Sequence, residues 1–168
     1  MVEIDHGFDT SMVYGIVGSF TGGLSSKGLR LLKSDWYNVA KVYPITRKHE
    51  SVEGLKAYYS VKDLPEPIDV LIMVHKPDVG IQILQDVLTL SYKPAIWFMP
   101  STSSPEIIAL CEDNNLKHAS SCLMGHRECK GITKFFNMHY IHSKLSGMNR
   151  IPKQPEQNRT EEELLVEQ

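Results

Sequence analysis

The run Asp69-Val-Leu-Ile-Met-Val74 constrains the fold more than any other stretch of this chain. Its apolar residues follow one another without polar alternation, the mark of a central parallel strand covered on both faces. Parallel neighbours need crossover connections, and the chain supplies them. His75-Lys76-Pro77-Asp78 ends the run. Val79, Ile81, Ile83, Leu84, Val87, Leu88 and Leu90 then recur as in a helix. Ala95 to Met99 is a second such strand, ending in Pro100-Ser101-Thr102-Ser103. After it Ser104 caps a helix with Pro105 in its first turn, Glu106 at its positive end and Ile107, Ile108 and Leu110 toward the core. Val13 to Val17, Val39 to Ile45 and a weaker Leu116 to Ser121 complete the strands. The alternation predicts an α/β fold, a doubly wound parallel sheet of about five strands. Ligands of such sheets lie outside the C-terminal strand ends, near the switch in strand order.

The first strand leads into Gly18-Ser-Phe-Thr-Gly22-Gly23 and a helix that can start near Ser25 or Ser26, with Leu24, Gly28, Leu31 and Leu32 on one side. Strand, glycine turn and helix form a phosphate-cradling unit: glycines admit close backbone approach, and the helix start offers free N–H groups. The spacing departs from Gly-x-Gly-x-x-Gly. Gly18 and Gly23 have P-loop spacing, but Leu24 stands where that loop needs lysine, so ATP or GTP hydrolysis is not expected. An ordinary strand-to-helix turn would look much the same.

Thr46-Arg47-Lys48-His49 follows the second strand. An acid at that position holds a ribose diol, whereas a basic residue accommodates a ribose phosphate. The cluster therefore suggests a nucleotide with an extra ribose phosphate, as in coenzyme A or NADP; a solvated loop of charges is the plain alternative.

Net charge is −2, and the tail from Arg150 to Gln168, with three basic and five acidic residues, accounts for it. A neutral body argues against general nucleic-acid binding. Three cysteines do not make a disulfide framework, no apolar run reaches membrane-spanning length, and the first residues do not read as a signal peptide, so a cytoplasmic protein with reduced thiols is expected. Cys122, His126 and Cys129 lack a standard zinc spacing, and no metal is expected. Cys122 with His126 makes only a weak nucleophile pair, since no orienting acid is evident. Residues 1–12 read as a lead-in, 13–126 as the domain and 127–149 as a C-terminal helical extension. Its Ile132, Phe135, Phe136, His139 and Tyr140 face packs on the domain or allows a homodimer. Residues 150–168 read as a flexible acidic tail.

Lys41-Val-Tyr-Pro-Ile45, Glu53-Gly-Leu-Lys-Ala-Tyr58 and Ser60-Val-Lys-Asp-Leu-Pro-Glu-Pro-Ile-Asp-Val70 resemble the small CoA-binding-domain proteins. These are Rossmann-like domains related to the CoA-binding part of succinyl-CoA synthetase α subunits. The resemblance covers roughly residues 13–126. It implies a CoA diphosphate held by Gly18, Ser19, Thr21 and Gly22, and an adenosine 3′-phosphate met by Thr46, Arg47 and Lys48. It further implies adenine and pantetheine lined by Val74, His75, Lys76 and Pro77 and by Met99, Pro100 and Ser101. Three places depart from the family pattern: Thr46-Arg47 replaces Asn-Pro, His75-Lys76-Pro77 replaces Arg-Arg-Pro, and Leu123-Met124 replaces Pro-Lys after Cys122. At the mouth of such a site, Cys122 could form a mixed disulfide with the CoA thiol.

The expected function is binding of CoA or an acyl-CoA by a stand-alone, non-catalytic module, because one such unit has no room for a synthetase's phosphohistidine and ATP-binding domains. The alternatives are an NADP-type oxidoreductase or redox sensor, and an interaction subunit that has lost its ligand.

Overall fold

The computed structural model describes residues 11–35, 37 and 39–123. The lead-in before residue 11, the C-terminal helical extension, its dimer face, the acidic tail, and the His126 and Cys129 partners of Cys122 lie outside the described residues.

Five parallel strands form one sheet: β1 (Val13–Val17), β2 (Lys41–Ile45), β5 (Val70–Met73), β6 (Ala95–Phe98) and β7 (His118–Ser120). They are ordered β2-β1-β5-β6-β7. Three helices connect them: α1 (Gly23–Lys33), α2 (Pro77–Leu88) and α3 (Pro105–Asp113). The crossing from β2 to β5 carries no α-helix. It holds the two-stranded hairpin β3 (Ser51–Val52) and β4 (Leu55–Lys56), then a 3-10 turn at Val61–Asp63. The hairpin turns at Glu53 and Gly54, both at positive φ (50° and 78°), as a tight two-residue turn requires.

Every residue of β5 and β6 is buried, as the unbroken apolar runs predict. Alternate side chains serve two cores. Tyr14, Ile16, Val70, Ile72 and Trp97 pack with Leu29 and Leu32 of α1. Val17, Leu71, Met73, Ile96 and Phe98 pack with Leu84 and Val87 of α2 and with Ile107 and Cys111 of α3. Each such side chain fully withdrawn from water contributes about 1.5–3 kcal/mol, and Trp97 also donates its indole N–H to Ser121 O at 2.9 Å.

Asp69 ties the lower ends of the central strands. Its Oδ2 accepts from Val13 N at 2.7 Å, its N donates to Val13 O, and its O accepts from Ala95 N. At the upper ends Gly18 N donates to Ile45 O and Val74 N to Val17 O. There the Thr102 hydroxyl donates to Met99 O at 2.7 Å, with Met73 O at 3.2 Å.

Two helix details correct the sequence reading. Helix α1 starts at Gly23 with Gly22 as N-cap, not at Ser25 or Ser26. The buried Ser25 and Ser26 face the sheet, while Leu24 is 42% exposed, so the buried stripe runs through Ser25, Gly28, Leu29 and Leu32. The glycine turn lets the helix begin two or three residues earlier, and its small serines, not Leu24, pack on the strand end. In α2 the core stripe is Gly80, Leu84 and Val87, and Val79 is exposed. Ser104 caps α3 as expected, accepting from Ile107 N, with Glu106 in the first turn.

Candidate functional site

Strand order reverses between β1 and β5: the chain leaves β1 for β2 on one side and returns to β5 on the other. In doubly wound sheets this switch point opens the crevice where ligands bind. Three loops meet there, those following β1, β2 and β5.

The first loop is set by backbone chemistry. Gly22 lies at φ 114°, ψ −169°, a conformation essentially reserved for glycine. No side chain caps α1 and no acid stands in its first turn, so its leading N–H groups are left to an external acceptor. A Cβ at Gly22 or Gly23 would have no heavy atom within 4 Å, whereas one at Gly18 would stand 2.2 Å from Ser25 Cβ. Gly18 thus permits close packing of strand end and helix, and Gly22-Gly23 face open space. Phe20, at φ 51°, is buried and anchors the loop, its N–H donating to Ser25 Oγ at 3.0 Å. Ser19 and Thr21 flank it, with hydroxyls 3.3 Å apart.

The second loop turns on Thr46. Its side chain is buried, its N donates to Tyr58 O at 2.8 Å, and its Oγ1 accepts from Lys48 N at 3.3 Å. Held this way, it projects Arg47 and Lys48, both exposed, at the rim. The third loop carries half-buried His75. Burial, and then the Lys48 charge beside it, hold the imidazole pKa below its ordinary value, so the ring is neutral at pH 7.

A cavity of about 160 Å³ opens beside these loops. It gathers Ser19, Thr46, Arg47, Lys48 and His75 from the sequence-predicted residues. Val17, Ile45, Val61 and Ile83 form its apolar floor on the α2 side of the sheet. The other predicted residues lie outside it. Gly18, Thr21 and Gly22 belong to the α1 start. Lys76 is the N-cap of α2 and Pro77 its first residue. Val74 and the buried Met99 pack on the α1 face, and Pro100 and Ser101 are exposed beyond β6.

Sequence reasoning missed the far wall: Tyr59, Ser60 and Val61 before and in the 3-10 turn, and Val79, Gln82, Ile83 and Asp86 of α2. The available signal was a second stripe at i, i+3, i+4 and i+7 on α2, offset from its core stripe. Asp86 Oδ1 lies 2.6 Å from Lys62 Nζ and Oδ2 accepts from Ser60 Oγ at 3.4 Å, closing the 3-10 turn against the helix. Among the described residues no cluster of His, Cys, Asp and Glu could hold a metal ion, and no helix is long and apolar enough to cross a membrane.

Sheet order and the strand-turn-helix unit at its switch point define a Rossmann-like α/β type of domain. Residues 13–127 match the CoA binding domain family, and the chain belongs to that family. A curated relative is the α subunit of acetate–CoA ligase (ADP-forming) II of Pyrococcus furiosus, 47% identical over 38 residues, which are 23% of this chain. The match spans only 8% of that relative's length. Among solved structures, a conserved hypothetical protein from Pyrococcus furiosus superposes with a TM-score of 0.59 at 28% identity, covering 65% of this chain and 92% of the other. A dinucleotide-forming acetyl-coenzyme A synthetase 1 from Ca. Korarchaeum cryptofilum shares the fold, with a TM-score of 0.54 at 22% identity, over 65% of this chain and 26% of its own.

Proposed function

We propose that this protein binds coenzyme A, or an acyl-CoA, as a non-catalytic module in the cytoplasm. The observation that carries the reading is the convergence of two anion-accepting features at one switch point. One is the uncapped start of α1 behind Gly22-Gly23. The other is the Arg47, Lys48 and His75 rim of the neighbouring cavity. CoA has a diphosphate for the first and a ribose 3′-phosphate for the second. The nucleoside then sits on the α2 side of the sheet, the diphosphate crosses the strand ends, and the pantetheine runs toward Val74, Lys76 and the Met99–Ser101 segment. Membership of the CoA binding domain family supports this choice over NADP.

Calorimetric titration with CoA, acetyl-CoA and NADP(H) tests it. Saturable binding of CoA but not NADP(H) is expected. Tighter binding of NADP(H) would replace the reading with the redox alternative, and binding of none would leave an interaction subunit. A homodimer through the Ile132–Tyr140 segment belongs to the same reading, and light scattering at high concentration tests it.

A further inference from the structure

The polar groups that α2 brings to the far wall of the cavity, Gln82 and Asp86, carry no positive charge with which to hold a phosphate. Val79, Gln82, Ile83 and Asp86 all line it, one stripe of α2 with two apolar members and two polar ones. Asp86 is not a free surface charge. Lys62 and Ser60 fix its carboxylate, and those two contacts leave acceptor capacity, since a carboxylate offers about four lone-pair sites.

The cavity is therefore polarised. Its cations, Arg47 and Lys48, stand at the strand ends, where α2 also begins. Asp86 lies nine residues into the helix, about 13 Å along its axis from Pro77. Between them runs the apolar floor of Val17, Ile45, Val61 and Ile83. The volume, about 160 Å³, is close to that of an engineered apolar cavity, about 150 Å³, that takes up benzene. The space suits one flat ring system with its phosphates outside, at the cationic rim. Tyr59, 59% exposed at the mouth, offers a ring to lie over such a group.

A flat heterocycle directed at Asp86 must present an N–H there, because a carboxylate only accepts. We infer that Gln82 and Asp86 read the exocyclic amine edge of an adenine base and are the specificity-determining residues of the cleft. This rests on the nucleotide reading above and adds which atoms of the ligand are discriminated. The Gln82 amide can donate to a ring nitrogen while accepting from the amine, the pairing by which glutamine recognises adenine. A 6-oxo base would turn a carbonyl oxygen toward the Asp86 carboxylate, leaving both acceptors without a proton.

The test compares CoA with its deaminated analogue, in which hypoxanthine replaces adenine, by calorimetry on the full chain. The parent is expected to prefer CoA by about tenfold or more, the worth of one hydrogen bond to a charged group. Q82A, at an exposed helix position, and D86A should each shrink that preference, chiefly by weakening CoA. K62M breaks the ion pair but keeps the carboxylate, and should retain the preference. Thermal melts check that each variant folds; should D86A not fold, Q82A and K62M carry the comparison. Equal affinity for the two ligands overturns the inference, as does unchanged discrimination in Q82A or a loss in K62M as complete as in Q82A. The functional reading survives either result. Absence of CoA binding by the parent removes both.

Discussion

Ser25 Oγ accepts the backbone N–H of Phe20 at 3.0 Å, while the Ser25 Cβ occupies the space that a side chain at Gly18 would need. One residue of the first helical turn thus shapes both sides of the glycine loop. It satisfies a buried donor in the loop and forbids bulk at the strand end.

Replacing Ser25 by Ala leaves the Phe20 N–H without its partner and should cost about 1–3 kcal/mol. Gly18→Ala should also cost about 1–3 kcal/mol or more, because its methyl would stand 2.2 Å from Ser25 Cβ and force β1 and α1 apart. On a Ser25→Gly background the added methyl of Gly18→Ala meets no Cβ, so its cost should fall. A denaturation cycle of the four proteins measures the coupling; additive costs would mean that the loop yields without involving Ser25.

Arg47 and Lys48 project from a turn held by Thr46. Charge-assisted contacts to phosphate contribute about 1.5–3 kcal/mol each, so Arg47→Ala with Lys48→Ala should weaken CoA by more than about tenfold. Dephospho-CoA, which lacks the 3′-phosphate, should lose much less. Titration of both ligands against both proteins checks this, and equal losses would mean that the pair does not read that phosphate.

His75 has a depressed pKa, from burial first and the Lys48 charge second. The unfolded chain then binds the proton more readily than the folded one. His75 should therefore make stability fall as pH drops below 6.5 toward the folded pKa. His75→Asn should flatten that part of the stability profile. Docking of an anion beside the ring should raise its pKa, so CoA binding near pH 6 should take up protons. Calorimetry in buffers of differing ionisation enthalpy reads that uptake, which His75→Asn should abolish.

Tyr43 donates to Glu66 Oε1, and Lys41 Nζ lies 2.9 Å from the same carboxylate. The hydrogen bond to Glu66, then burial and the Glu66 charge, push the phenol up to about 12. The same bond, followed by the bond from Lys41, holds the Glu66 carboxyl below its ordinary range. Glu66 thus adds stability above its unfolded pKa that is lost as pH falls through the folded one. Tyr43→Phe should raise the Glu66 pKa and reduce that loss, observable by NMR titration of the carboxyl carbon; an unchanged Glu66 would assign its shift to Lys41 alone.

Local sequence decided the strands and the glycine turn. The runs at Val70 and Ala95 are apolar and buried at every position, and the run at Val13 is buried from Tyr14 onward, as only a strand covered on both faces allows. The turn at Gly22 takes a backbone conformation open essentially to glycine alone, so the residue marks the turn. The cap at Ser104 acts within a few residues and was equally legible. The Glu53-Gly54 hairpin was not, because a two-residue strand has too few positions to display a period.

The cleft was half legible. Loops at strand ends could be named because chain order tells where a parallel strand stops, and this brought in Ser19, Thr46, Arg47, Lys48 and His75. The wall formed by Tyr59, Gln82 and Asp86 depended on the sheet order β2-β1-β5, which brings the 3-10 turn after β2 against α2 after β5. A polar residue on a helix reads the same whether it faces water or a cavity. Only packing distinguishes the two, and here the Lys62–Asp86 contact across 24 residues of chain separates the cavity-facing stripe from the solvated one.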